Sequence, residues 1–190
     1  MDNPSKPGTA IVWSETLPVQ DVSNFTPCRL QFGFLGPIRF FNIYGPSGSD
    51  KRQERFCFYS QEVFNALQLD TRRPLLLCGD FNAVVSPADI DGGFRFDQKN
   101  CPSLKQVLNV WNLVDILRFF YPSRKEFTFH RPGCAPSRLD RVYASNGLVE
   151  NVSDVNHIAS LGDHCAVHVK INMDISAAPI QDKFRNSYWK

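Results

Sequence analysis

Short apolar runs bounded by turn residues predict a series of β-strands along the chain. The clearest are residues 38–44, which close at Gly45-Pro46, and residues 74–78, which have turn signals on both sides. Further runs predict strands at residues 10–14, 28–34, 127–130, 138–144, 149–158 and 165–171. In the last of these, alternate positions are apolar, as in a strand with one buried face.

Two segments have apolar residues at helical spacing instead. Residues 49–69 place Phe56, Tyr59, Val63 and Phe64 on one face, and Ser49 or Asp50 is a suitable N-cap. Residues 103–113 repeat the pattern, whereas residues 81–102 are loop-like. Strands with interspersed helices predict an α/β fold.

The composition predicts one globular domain. The chain has 190 residues, of which 43% are hydrophobic and 21% charged. No apolar run approaches the ~20 residues that span a bilayer, and the N-terminus lacks the apolar core of a signal peptide. The six cysteines form no CxxC pair. We therefore expect reduced thiols, an intracellular protein and no membrane partner.

The charge is unevenly distributed. The net charge is only +2, but residues 118–141 hold six basic and two acidic side chains. Such a stretch either faces a polyanion or is an ordinary solvated surface.

Polar residues that are candidates for a catalytic role follow the predicted strand at 74–78. In Gly79-Asp80-Phe81-Asn82, a carboxylate and an amide emerge two residues apart. An aspartate orients or deprotonates a water molecule, and an asparagine donates to a phosphate oxygen. A polar turn whose aspartate caps loop amides is the alternative interpretation.

A second pair of candidates lies further along the chain. Asp140 is embedded in a predicted strand, and His164 follows Asp163 just before the last strand. We expect the two strands to be neighbours, with Asp140 and His164 within hydrogen-bond reach as a carboxylate–imidazole pair. Such a pair favours the imidazolium, which suits contact with a phosphate.

Four motifs occur together in a characteristic order: LLLCGDFNAV, LVDILRFFYP with EFTFHRP, SRLDRVYAS and LGDHCAV. In order and spacing they resemble the endonuclease/exonuclease/phosphatase superfamily. The closest similarity is to the apurinic/apyrimidinic-like endonuclease domain of non-LTR (LINE-type) retrotransposons, in which FNIYGP and an Arg-rich helix also precede the GDFN motif. The resemblance extends over residues 8–172, and we expect residues 1–7 and 173–190 to be flexible tails.

The resemblance implies a four-layered α/β sandwich, in which two stacked mixed sheets are flanked by helices. Its active site would lie at the strand ends and bind Mg²⁺, or Mn²⁺, and a phosphodiester. The implied roles fall to residues that match the motifs: Asp80 (water orientation), Asn82 (water and phosphate), Asp140 with His164 (phosphate), Tyr44 (phosphate) and Asp163 (metal). We further expect Ser47, Arg118 and Arg138 to contact the substrate.

This sequence departs from the family pattern in three places. Gly162 stands where the family usually has serine, and Ser47 where it usually has asparagine. The upstream motifs that supply an asparagine and a metal-binding glutamate are not present. We therefore expect the chain to begin inside the family domain and to lack its first strands.

The resemblance implies Mg²⁺-dependent cleavage of DNA by a retrotransposon-type nicking domain. A reverse transcriptase domain in a longer precursor and a nuclear location are further implications. One alternative is an inactive remnant or a nucleic-acid-binding fragment. Another is a related phosphoesterase acting on RNA, inositol phosphates or phospholipids.

Overall fold

A computed structural model of the chain describes residues 8–92, 96–159 and 162–174. The strands in these ranges are β1 (Val19–Thr26), β2 (Leu30–Leu35), β3 (Ile38–Tyr44), β4 (Leu75–Asp80), β5 (Leu113–Asp115), β6 (Asp140–Ser145), β7 (Val152–Ile158) and β8 (Ala166–Ile171). The helices are α1 (Arg52–Cys57), α2 (Phe64–Ala66), α3 (Phe96–Lys99), α4 (Pro102–Val110), α5 (Ile116–Phe120) and α6 (Asn146–Val149). A π-helical turn, Phe58–Val63, joins α1 to α2.

Six of the strands form one mixed sheet in the order β1-β2-β3-β4-β6-β5. Strands β3 and β4 are parallel, and the other neighbours are antiparallel. Strands β7 and β8 form a second sheet, which is antiparallel. The α/β class is confirmed. The second sheet is not mixed in the part of the chain that the structure describes.

Alternate side chains of β4 point into two different apolar layers, one on each face of the large sheet. Leu75 and Leu77 are buried against the helices that contain Phe58 and Leu104. Leu76 points the other way, into an apolar layer that also holds residues of the two-stranded sheet. Because successive side chains of a strand point to opposite faces, the central strands are covered on both sides.

The structure differs from the sequence predictions in one apolar segment that forms no strand and in one largely polar segment that does. Residues 10–14 form no strand, and Val12 is almost fully exposed. The edge strand β1 was not predicted because its sequence, VQDVSNFT, is largely polar and half-exposed. Residues 127–130 make isolated bridges rather than a strand. No helix among the described residues has the length and apolar character needed to cross a membrane.

Candidate active site

Three polar side chains form a row across one end of the six-stranded sheet. Tyr44 ends β3 opposite Asp80 in β4, and Asp80 is in turn the register partner of Asp140 in β6. Register partners on adjacent strands project to the same face of a sheet. The strand pairing therefore brings these three positions together although they are far apart in sequence.

Gly79 allows β3 and β4 to approach at this point. Its φ angle is +130°, and a Cβ atom there would lie only 2.1 Å from the carbonyl oxygen of Ile43. No side chain larger than hydrogen fits this position. The glycine before Asp80 is thus a requirement of the strand pairing that builds the row.

The loop after β4 fixes the Asp80 carboxylate. The backbone N–H of Asn82 donates to Oδ1 of Asp80 at 2.8 Å, and its side-chain amide donates to Oδ2 at 2.9 Å. The same amide donates to the carbonyl oxygen of Gly45 at 3.0 Å. Asn82 has a φ of +46°, a left-handed conformation that asparagine tolerates better than most residues.

A buried tyrosine supports this loop from below. The hydroxyl of Tyr59, in the π-helical turn, donates to the carbonyl oxygen of Phe81. The sequence predicts only that Tyr59 lies on the apolar face of a helix, because nothing in the sequence shows which carbonyl group its hydroxyl reaches.

His164 meets Asp140 as predicted, but not from a neighbouring strand. Its Nδ1 atom lies 2.7 Å from Oδ2 of Asp140. Asp140 begins β6 of the six-stranded sheet, whereas His164 precedes β8 of the two-stranded sheet. The expectation of neighbouring strands was therefore wrong, and the pair instead connects two different sheets.

Asp80, Asp140 and His164 form a compact cluster. One possible ligand atom from each lies within 4.8 Å of the other two. Carboxylate oxygens are the ligands that Mg²⁺ prefers, and a mixed carboxylate–imidazole set also suits Mn²⁺. These residues therefore fit a divalent metal. Asp163 is exposed and is not one of the three converging groups.

The cluster shifts the pKa values of two of its members. Burial, and then the charge of Asp140, raise the pKa of Asp80 to about 6, although the Asn82 N–H and His164 act in the opposite direction. For His164, burial acts against the charged form. The hydrogen bond to Asp140 and the nearby carboxylates outweigh burial, so the pKa of His164 is raised. The site thus favours an imidazolium beside two carboxyl groups.

Two of the residues expected to contact substrate lie in a buried ion cluster instead. Arg138 is 1% exposed, and its guanidinium binds Asp89 and Asp115 at 2.6–3.0 Å. Arg118 also donates to Asp89, at 3.0 Å. Arg118 and Arg138 are therefore not exposed beside Asp80, Asp140 and His164. Ser47, the third residue expected to contact substrate, is exposed and follows β3 by three residues.

Asp89 is the centre of this buried ion cluster and was not predicted from the sequence. Burial would raise its pKa, but Arg141, Arg138 and Arg118 outweigh this effect and hold the pKa below its usual value. The cluster lies against the start of β6, since the backbone N–H of Arg138 donates to the Asp89 carbonyl oxygen at 2.7 Å. Asp89 has no sequence signal because its partners lie far along the chain.

Comparison with known structures gives the same architecture. An AP endonuclease from Archaeoglobus fulgidus superposes with a TM-score of 0.73 at 22% identity, over 83% of this chain and 72% of that one. The 3′-5′ exonuclease NExo from Neisseria meningitidis gives a TM-score of 0.68 at 20% identity, over 82% and 72%. An AP endonuclease from Leishmania major gives 0.68 at 20% identity, over 77% and 55%.

A family model decides the classification. The model of the Endonuclease/Exonuclease/phosphatase family matches residues 2–164, which include every member of the Asp80 cluster. With this match over most of its length, the chain belongs to the Endonuclease/Exonuclease/phosphatase family.

Proposed function

We propose that this chain is a metal-dependent phosphodiesterase that nicks DNA. The observation that carries the proposal is the convergence of Asp80, Asp140 and His164 within 4.8 Å at the end of the sheet. Two carboxylates and an imidazole supply a base, a cation-binding pair and a positive group for a phosphate. Phosphodiester hydrolysis needs all three functions.

Each residue of the site has a role in this proposal. Asp80, held by Asn82, orients the attacking water and receives its proton. His164, held by Asp140, donates to the phosphate oxygen on which charge develops. Tyr44 is placed beside Asp80 to donate to the same phosphate. A divalent metal bound by the carboxylates would act as a Lewis acid on the phosphoryl group.

DNA is the proposed substrate because of the relatives and the charge. The similar structures include AP endonucleases and a 3′ phosphatase from Neisseria bound to a product DNA hairpin. Lys125 and Arg131 are exposed, and in the sequence they flank Phe129, which bridges to His164. Positive side chains in such positions suit a phosphate backbone.

The retrotransposon assignment is part of the same proposal. It is supported by the ordered motifs of the sequence, of which SRLDRVYAS contains Asp140 and LGDHCAV contains His164. On this assignment the chain nicks a chromosomal target in the nucleus, and a reverse transcriptase domain belongs to the same precursor. Mg²⁺ is the proposed ion, with Mn²⁺ as a substitute.

A plasmid-nicking assay tests the proposal. We expect the chain to convert supercoiled DNA to open circles in Mg²⁺ and EDTA to stop the reaction. Asp80→Asn and His164→Ala should each reduce the rate by at least ~10²-fold. The matched controls are Asp97→Asn and His168→Ala, which alter exposed residues of the same types.

The other outcomes are equally informative. Binding of DNA in a gel-shift assay without any nicking would overturn the enzymatic proposal and favour a nucleic-acid-binding role. Cleavage of RNA or of an inositol phosphate, with DNA left intact, would overturn the substrate assignment. Equal losses in the variants and their controls would remove the Asp80 cluster from the chemistry.

A further inference from the structure

A short segment, residues 128–130, lies between the two halves of the catalytic pair. Phe129 forms bridges to Ser137, three residues before β6, and to His164, two residues before β8. This segment is the link between the two sheets at the site, and it belongs to neither of them.

The side chain of Thr128 holds the Asp140 side of the pair. Its hydroxyl oxygen accepts two backbone N–H groups, those of Leu139 and Asp140, each at 2.9 Å. A threonine hydroxyl has two acceptor lone pairs, and both are used here. Thr128 is completely buried. It fixes the backbone from which the Asp140 carboxylate projects, and it is not available to touch a substrate.

The main chain of the same segment holds the His164 side. The carbonyl oxygen of Thr128 accepts the N–H of Cys165 at 2.6 Å, and the N–H of His130 donates to the carbonyl oxygen of Asp163 at 2.7 Å. These bonds secure the residues immediately before and after His164. The ring of Phe129 lies 5.1 Å from the imidazole, centroid to centroid.

We propose that Thr128 is a positioning residue that sets the separation of Asp140 and His164. Thr128 binds the backbone N–H of Asp140 through its hydroxyl, and it binds the N–H of Cys165, the residue after His164, through its carbonyl oxygen. Since the partners come from different sheets, no strand pairing between them fixes their distance. The inference rests on the proposed function, because it assigns Thr128 to the same hydrolytic site.

The consequence of losing the hydroxyl follows from the geometry. Without it, two buried N–H groups lose their acceptor, and the start of β6 must shift or admit water. A misplacement of about 1 Å in a catalytic group costs roughly 10²-fold in rate. The effect should fall on turnover rather than on substrate binding, because Thr128 is buried away from the surface that the substrate contacts.

The test compares Thr128→Val, which keeps the shape and removes the acceptor, with Thr128→Ser, which keeps the acceptor. We expect Thr128→Val to lower kcat for plasmid nicking by about 10- to 100-fold with KM nearly unchanged. Thr128→Ser should remain within about threefold of the native rate. Thr26→Val is the control. Thr26 ends the edge strand β1, and the substitution removes its hydroxyl, which donates to Glu62.

A spectroscopic readout separates positioning from general damage and from the proposed function itself. The Nδ1 proton of His164 in its bond to Asp140 should give a resolved proton resonance in the metal-free native chain. That resonance should disappear in Thr128→Val and persist in Thr128→Ser and Thr26→Val. It does not depend on activity, so the inference is testable even if the native chain fails to cleave DNA.

Two results would overturn the inference. One is native kcat in Thr128→Val. The other is a His164 resonance in Thr128→Val that is the same as in the native chain and in Thr26→Val, whether or not the native chain cleaves DNA. If Thr128→Val does not fold, Thr128→Cys replaces it, because cysteine and serine differ only in a sulfur that accepts hydrogen bonds weakly.

Discussion

The hydrogen bond between His164 and Asp140 joins the two sheets of the molecule at their ends. The bond is 2.7 Å long. Both side chains are partly exposed, so solvent and a ligand can reach the pair. The pair is thus both a contact between sheets and an accessible chemical group.

Replacing the Asp140 carboxylate with an amide tests this dual role. Asp140→Asn keeps the size of the side chain but removes the charge that favours the imidazolium of His164. We expect the nicking rate to fall by ~10²–10³-fold, as for the loss of one preorganised electrostatic contact. Plasmid nicking at saturating Mg²⁺ measures the effect, with Asp97→Asn as the control. Native activity in Asp140→Asn would show that the His164 charge is not used.

The stability of the metal-free chain should depend on pH through Asp80. The pKa of Asp80 is raised from 3.8 to about 6 by burial and by Asp140, so its ionised form is disfavoured in the fold. This destabilisation is absent below about pH 4 and complete above pH 6. We therefore expect Asp80→Asn to gain about 3 kcal/mol relative to the native chain between pH 4 and pH 8.

Urea unfolding in EDTA at several pH values measures this difference. Added Mg²⁺ should reduce the advantage of Asp80→Asn at pH 8, because a bound cation compensates the two carboxylates. A difference in unfolding free energy that stays constant from pH 4 to pH 8 would contradict the raised pKa.

The hydroxyl of Tyr59 should contribute to both stability and turnover. Tyr59→Phe leaves the buried carbonyl group of Phe81 without this donor, at a cost of about 1–3 kcal/mol in the free energy of unfolding. Because Phe81 lies between Asp80 and Asn82, we also expect slower nicking. Urea denaturation and the plasmid assay measure the two effects. A stability loss with unchanged turnover would show that the loop keeps its geometry without this bond.

Gly79 and Gly147 provide a matched pair of substitutions. At Gly79 an added Cβ would meet the Ile43 carbonyl oxygen at 2.1 Å, whereas at Gly147 nothing lies within 4 Å. We expect Gly79→Ala to lower the melting temperature sharply or to prevent folding, and Gly147→Ala to leave it nearly unchanged. Thermal unfolding followed by circular dichroism distinguishes them. Similar melting curves would show that β3 and β4 separate without cost.

The sequence predicts the central strands of the large sheet well because buried strands consist largely of apolar residues. The apolar runs 38–44 and 74–78 predict β3 at its observed limits and most of β4, which continues through Gly79 to Asp80. The opposite holds for β1, whose stability comes from its pairing with β2 rather than from an apolar pattern. At residues 10–14 a strand was predicted and none forms, because an apolar run becomes a strand only when another strand pairs with it.

At the candidate site, local motifs predicted the polar groups that the structure brings together, but not their neighbours. Asp80, Asn82, Asp140 and His164 follow turn residues or begin strands, which makes them visible in the sequence. Arg138 lies in the basic stretch and was expected to contact the substrate, but it is 1% exposed. Its burial depends on Asp89, a residue from a distant loop, and only tertiary structure reveals that pairing.

The order of strands in the large sheet has a consequence for synthesis on the ribosome. Strand β4 lies between β3, which is made before it, and β6, which is made long after it. A nascent chain can therefore pair β1 to β4, but one edge of β4 stays open until Asp140 and then His164 emerge. During that interval the hydrolytic site is incomplete. The unpaired β4 edge is then the place where association with other nascent chains would begin.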